Sequence, residues 1–320
     1  MSLRPLFQAA ERSHWLLVPG LFFLLLGGAF ALLWSGIAET RLSTIMSTSR
    51  ILGTALMFAL MQAYLLAMIC YQHRVTQHSM DAVSAIARPE DVHEVRAEML
   101  RIGPVTWCMT LFGAAFGLWQ NAYLMDAVRD GEPFTALDVV FVGANCSLWA
   151  MVALLLGWRI AVSRRIARLS MAMQLDLYRL DLLRPLARIA TTDVLIIAGA
   201  LALLPLQSLD AEFRIWNYQW GLIIGVPAVV VLFLLPLWGL RGRIAALKAE
   251  RVQTLRAQLA QLQPDNVEQL EVHSAHIDRI ASLPTWPIDL RVVTRIFVYL
   301  IIPPLAWVAS ALVENLVDGL

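Results

Sequence analysis

The residues in this chain that most need explaining are polar side chains lodged in apolar stretches. They are Gln62 and Tyr64, Gln120 and Asn121, Asn145, and Asp193, with Glu314 just past the last such stretch. Hydrocarbon offers no hydrogen bonds, so a polar group placed there must face a partner or water. Two kinds of chemistry follow. Side chains from several helices can line a hydrated path, and Gln62, Asn121, Asn145, Asp193 and Glu314 are the candidate polar lining. The same amides can instead bond one helix to another, at about 0.6–2 kcal/mol each. Asp193 is ionisable and follows Thr191 and Thr192. At the start of a span it can also cap a helix, where a carboxylate meets the positive end of the dipole.

Catalytic chemistry has no such foothold. There is no Gly-rich phosphate loop, no HExxH, GxSxG or CxxC, and no Thr-Val-Gly-Tyr-Gly filter. No enzyme and no cofactor is expected. His273 and His276 share a helix face near Glu271 and Asp278, but zinc needs three or four converging ligands, so no metal is expected either. Cys70, Cys108 and Cys146 sit in or beside apolar stretches and read as small buried thiols.

The elements that must position these groups are membrane spans. The composition is 59% apolar and 15% charged with mean hydropathy +0.65, against about 45–50% and 25% in a soluble domain. Seven apolar stretches, 22–36, 51–71, 103–125, 139–158, 194–209, 218–240 and 296–313, approach the ~20 residues needed to cross hydrocarbon. The expected fold is therefore all-α and polytopic, with seven spans and helical extensions on one side. Sorting the connections alternately puts 21 of the 25 Lys+Arg on one side, leaving Arg41, Arg50, Arg129 and Arg214 on the other. Basic residues stay cytoplasmic during insertion. The N-terminus is expected inside and the C-terminus outside, in a bacterial inner membrane. Net charge is +1, so no field recruits nucleic acid. The bilayer itself is the first expected partner.

The basic-side connections are long. Arg88-Pro89-Glu90-Asp91 is a helix start. Val162, Ile166, Leu169, Met173, Leu177 and Leu180 form one stripe, and no breaker separates Trp158 from Arg184-Pro185. Leu247, Val252, Leu255, Leu259 and Leu262 form another stripe of near-heptad spacing. Gln263-Pro264-Asp265-Asn266 ends it, and a second helix follows through Leu270, Ile277 and Ile280. Two such helices make a cytoplasmic hairpin, either packed on its own subunit or joined to another copy as a short coiled coil.

Three units follow from this: 1–240 with six spans and inner helices 72–102 and 159–193, a hairpin at 241–291, and a last span with its outer tail at 292–320. Gly113 and Gly117 allow close helix packing, within a chain or between copies. Pro227, Pro236, Pro303 and Pro304 are candidate hinges, and Trp286 a candidate anchor coupling the hairpin to the membrane. The outer connections are too short for a ligand-binding domain. The layout predicts a homo-oligomeric channel or pore with a cytoplasmic helical assembly and gating region. A secondary transporter, or a scaffold or signalling protein holding a cytoplasmic partner on its inner helices, is the alternative.

Overall fold

The structure, a computed structural model, describes Phe7 and residues 16–33, 48–122, 135–173, 175–178, 180–207, 219–261, 267–286, 294 and 298. Among these residues it is helical and has no β-strand. The helices are α1 (Leu17–Leu33), α2 (Thr48–Val83), α3 (Pro89–Met99), α4 (Pro104–Gln120), α5 (Ala136–Ala172), α6 (Arg184–Leu203), α7 (Gln219–Gln261) and α8 (Val267–Ser282). Four of them are long and apolar enough to cross a membrane: α2 from Ile51, α5, α6 continued to Leu206, and α7. The first and third predicted spans are the shorter helices α1 and α4, each of 17 residues. The seventh, 296–313, lies outside the described residues except for Val298, and so do Glu314, Pro303 and Pro304. Leu21, Leu24 and Leu25 on α1, Leu111 and Phe112 on α4, and Ile223 and Val230 on α7 are exposed. Large apolar side chains turned outward on several helices suit lipid and not water.

The helices overrun the apolar stretches that mark them. α2 continues to Val83, and α5 runs unbroken to Ala172. The stripe Val162, Ile166, Leu169 and Met173 is buried along that extension. It does not reach Arg184: Met173 turns extended at ψ 144° and closes α5, and Leu180 opens a 3-10 turn, Leu180–Leu183. α6 begins at Arg184 with Pro185 in its first turn. This corrects the reading of Asp193 as a cap, since Asp193 lies more than two turns inside α6. Proline is pre-organised for a helix start, and Leu186 and Ile189, both buried, continue the core stripe upstream of the apolar stretch. Hydropathy marks where α6 becomes apolar, not where it becomes helical.

α5 is the central strut, packed against α1, α2, α3, α4 and α7. Two glycines set its approach to α4. A Cβ on Gly113 would strike the carbonyl of Trp149 and come within 2.7 Å of Ala153, and one on Gly117 would lie 2.7 Å from Cys146 Cα. Absent side chains let the two backbones touch, and dispersion contacts then hold them. The pair therefore works between α4 and α5 of one chain. α3 starts at Pro89 with Glu90 and Asp91 in its first turn. Trp158 Nε1 on α5 donates to Met99 O at its end, 3.2 Å away.

α7 passes through Pro227 and Pro236 without a break. It leaves the apolar region as one rod and packs against α8. Lys248 Nζ donates to Ala281 O at 2.9 Å and Leu283 O at 2.6 Å. A cation on the last carbonyls of a helix satisfies orphan acceptors and opposes the dipole. Leu247, Val252 and Leu255 pack into the core cluster that holds Ile280. Arg241 sits over the rings of Trp238 and Trp286, 5.6 Å and 4.9 Å from their centroids. The joint where α7 emerges is thus clamped by a cation between two indoles.

Candidate functional site

Two features are stacked along the bundle between α2, α5 and α6. The first is a polar junction near the basic end. Arg159 on α5 meets Asp193 on α6 through two bonds, Nε to Oδ1 at 2.7 Å and Nη2 to Oδ2 at 3.0 Å. Both side chains are 1% exposed. From α2, Gln72 Nε2 donates to Asp193 Oδ1 at 2.6 Å, and Thr76 Oγ1 accepts from Arg159 Nη1 at 3.4 Å. Two parallel bonds fix the planes of guanidinium and carboxylate together. Desolvating two ions costs several kcal/mol each, and only such geometry with further hydrogen bonds offsets it. The junction thus pins three helices at one level. Beside it the Phe7 ring stacks on His73, centroids 3.7 Å apart and planes within 4°, and stands 6.0 Å from Trp158. Phe7 thus packs at the same depth as the junction.

The second feature is a cavity of about 470 Å³ among α2, α4, α5, α6 and α7. Its deep end, toward the junction, is formed by Leu65, Leu155, Leu156 and Ile196. Arg159 is one helical turn past Leu155, and Asp193 one turn before Ile197, so the ion pair is the floor beneath the cavity. The opposite end is polar: Thr54, Gln120, Asn121, Asn145 and Gln219 lie there, with Trp149 and Trp220. Trp149 Nε1 donates to Gln120 Oε1 at 2.6 Å, and Asn145 Nδ2 donates to the same oxygen and to Gly117 O, both at 3.3 Å. Asn121 Nδ2 also donates to Gly117 O, at 2.7 Å. Indole is only a donor and a carbonyl only an acceptor, so these partners fix which end of each amide is oxygen. Phe116 packs edge-on against Trp149 and Trp220, and Trp220 meets Trp119, framing the mouth in aromatic rings.

The sequence-predicted residues therefore divide. Asn121 and Asn145 line the cavity, and Asp193 lies under its floor. Gln62 is fully buried beside it and bonds α2 to α5, donating to Ala144 O at 2.8 Å and accepting from Ser147 Oγ at 2.9 Å. Of the hinge candidates, Pro236 is buried in the contact of α7 with the core, and Pro227 faces outward. His276 Nε2 pairs with Tyr178 Oη at 2.6 Å and His273 Nδ1 with Gln269 O at 2.9 Å. Among the described residues no three His, Cys, Asp or Glu converge as a metal site.

Arg159 is the buried charge that reading the sequence passes over. By position it counts among the basic-side charges. Its register gives it away: Arg159, Val162, Ile166 and Leu169 fall at helical spacing on one face, so the arginine extends a buried stripe. The capping box of α5 carried a signal as well. Thr135 N donates to Asp138 Oδ2 at 2.9 Å while Asp138 N donates to Thr135 Oγ1 at 3.4 Å, which places Asp138 in a helix start. No protein-family model, curated protein or solved structure matches this chain.

Proposed function

We propose that this chain is a carrier: a seven-span membrane protein that takes a small molecule into a cavity between its helices from one side and releases it on the other. The observation that carries this reading is the pairing of a cavity between the helices with a single buried ion pair, the latch, beneath one end of it. A secondary carrier needs a site near mid-bilayer, open to one side at a time. The cavity has its polar mouth at one end of the bundle, and Arg159, Asp193 and Gln72 bar the other. α5, α6 and α7 line the cavity, and α5 and α7 continue into the basic-side extensions. Parting the latch would open the second route. A pore along an axis between copies, which the layout favours, would need its polar lining on an outward surface. Asn121, Asn145, Gln62 and Asp193 are instead buried within one chain. A carrier of this kind works as a monomer. We further propose that the mouth faces outward and the latch the cytoplasm of a bacterial inner membrane, from the placement of arginine.

Labelling tests this without a known substrate. Cysteine is placed at Leu156, in a background where Cys70, Cys108 and Cys146 are alanine, and the protein is reconstituted in liposomes. A membrane-impermeant maleimide should label Leu156→Cys from the mouth side, and from the latch side more quickly once Asp193→Asn weakens the floor. Labelling confined to the mouth side under every condition, Asp193→Asn included, refutes the carrier and leaves a one-sided binding protein. Single-channel conductance from the same preparation would restore the pore.

A further inference from the structure

The geometry points to the class of molecule the cavity takes: a single-chain amphiphile with a neutral, hydrogen-bonding head, bound tail inward. This rests on the reading of the cavity as the carrier's binding site. Among the described residues no Asp, Glu, Lys, Arg or His lines the cavity. A formally charged head would enter low dielectric with no counter-charge, at a cost far above that of a neutral polar group. The Arg159–Asp193 pair below does not help it, because its charges are spent on each other.

Polarity is graded along the cavity. From Asn145 to Leu156 α5 rises about 16 Å; the amides and indoles of the lining lie toward the Asn145 end, among Phe58, Phe141 and Leu204, and the lining around Leu156 is apolar. A volume of about 470 Å³ is in the range of small-molecule sites, roughly 300–1,000 Å³. A deep apolar slot with polar groups only at its mouth fits one hydrocarbon chain with one head.

The head's chemistry follows from what the mouth leaves unused. Asn145 and Asn121 are 8% and 2% exposed. Asn121 donates one N–H to Gly117 O, Asn145 donates to Gly117 O and to Gln120 Oε1, and no described residue donates to Asn145 Oδ1 or Asn121 Oδ1. Gln120 spends its oxygen on Trp149 and Asn145, and its amide N–H₂ meets no acceptor among the described residues. Unspent carbonyl acceptors beside unspent amide N–H groups match a primary amide or a hydroxyl, each of which donates and accepts. A carboxylate, which only accepts, has no hydrogen to offer the two asparagine carbonyls.

The test uses the full chain in phosphatidylcholine nanodiscs with radiolabelled dodecanamide, dodecanoate and dodecyltrimethylammonium, empty nanodiscs correcting for partition. Saturable dodecanamide binding is expected, roughly tenfold tighter than either ion, the equivalent of one good hydrogen bond. Asn145→Leu should weaken it by roughly tenfold, and Asn121→Leu serves if that variant fails to fold. Leu156→Trp, which fills the slot, should abolish it. Equal affinity for the three heads, tightest binding of an ion, or no saturable binding overturns the assignment. Mass spectrometry of lipid extracted from the purified protein separates the sources: an enriched neutral single-chain lipid means the bilayer supplies the ligand, and its absence with saturable dodecanamide binding means solution does. One-sided labelling of Leu156→Cys would remove the carrier and leave this head-group preference standing. Loss of the preference would leave the labelling pattern unchanged.

Discussion

The two ends of the bundle solve the burial of polar groups in opposite ways. At the basic end the charges of Arg159 and Asp193 are paired, Gln72 and Thr76 bond to that pair, and only Gln72 Oε1 of the four side chains is buried without a partner. At the mouth Gln120, Asn121 and Asn145 are nearly as buried or half-buried, yet each keeps one polar atom unspent toward a cavity of about 470 Å³. The elements are the same: α2, α5 and α6 contribute to both. What differs is side-chain length and charge. Arginine reaches across to a carboxylate and closes the gap between helices, whereas Asn145 reaches Gly117 O and Gln120 Oε1 and Asn121 only the carbonyl one turn before it. A bundle held rigid at one level can leave room at another, because the cost of the void is met by contacts elsewhere.

This contrast can be broken by mutation, most severely at the junction. Arg159→Ala or Asp193→Ala leaves a buried charge unpaired and should cost about 3–5 kcal/mol, read as a fall in thermal stability in detergent by size exclusion after heating. The double variant Arg159→Met, Asp193→Leu should regain most of that loss, and if it is no better than the single variants the pair is not the tie we describe. The glycine seam comes next. Gly113→Ala or Gly117→Ala forces α4 from α5 and should cost about 1–3 kcal/mol. A neutral result would mean the two helices do not meet as closely as 2.7 Å implies. Gln62→Leu removes one cross-helix amide and should cost about 0.6–1.7 kcal/mol by the same assay. The smallest effect belongs to the cavity. Ala200→Leu adds bulk to a space already empty and should shift stability by less than about 0.5 kcal/mol, whereas the similar enlargement Ser163→Leu, fully buried at the junction level, should be felt strongly. Equal penalties at both sites would erase the distinction.

Much of this arrangement was legible from residue types. Periodicity marked Val162, Ile166 and Leu169 as a buried stripe, and Pro89 marked the start of α3, because both signals are local. Pro236 and the glycines Gly113 and Gly117 were visible as types, but not what they touch, since spacing along one helix says nothing about the partner helix. Asp193 was noticed for its charge and misplaced, because hydropathy shows where a helix becomes apolar and not where it begins. Its partner Arg159 was hidden by the same charge rule that assigned sidedness: an arginine beside an apolar stretch counts as a loop residue until its register is checked. The cavity was beyond reach altogether, because a void is a property of five helices together. Asn121 and Asn145 come together on one cavity. Gln62 joins helices instead.

The unbroken course of α7 has a mechanical corollary. About 25 residues separate Pro236 from Gln261, a length near 38 Å at 1.5 Å per residue. A tilt of about 10° at that proline, less than the sharp kinks seen at such sites, would swing the tip by roughly 6 Å. An event of atomic dimensions within the lipid would thereby become a displacement wide enough for another macromolecule to detect.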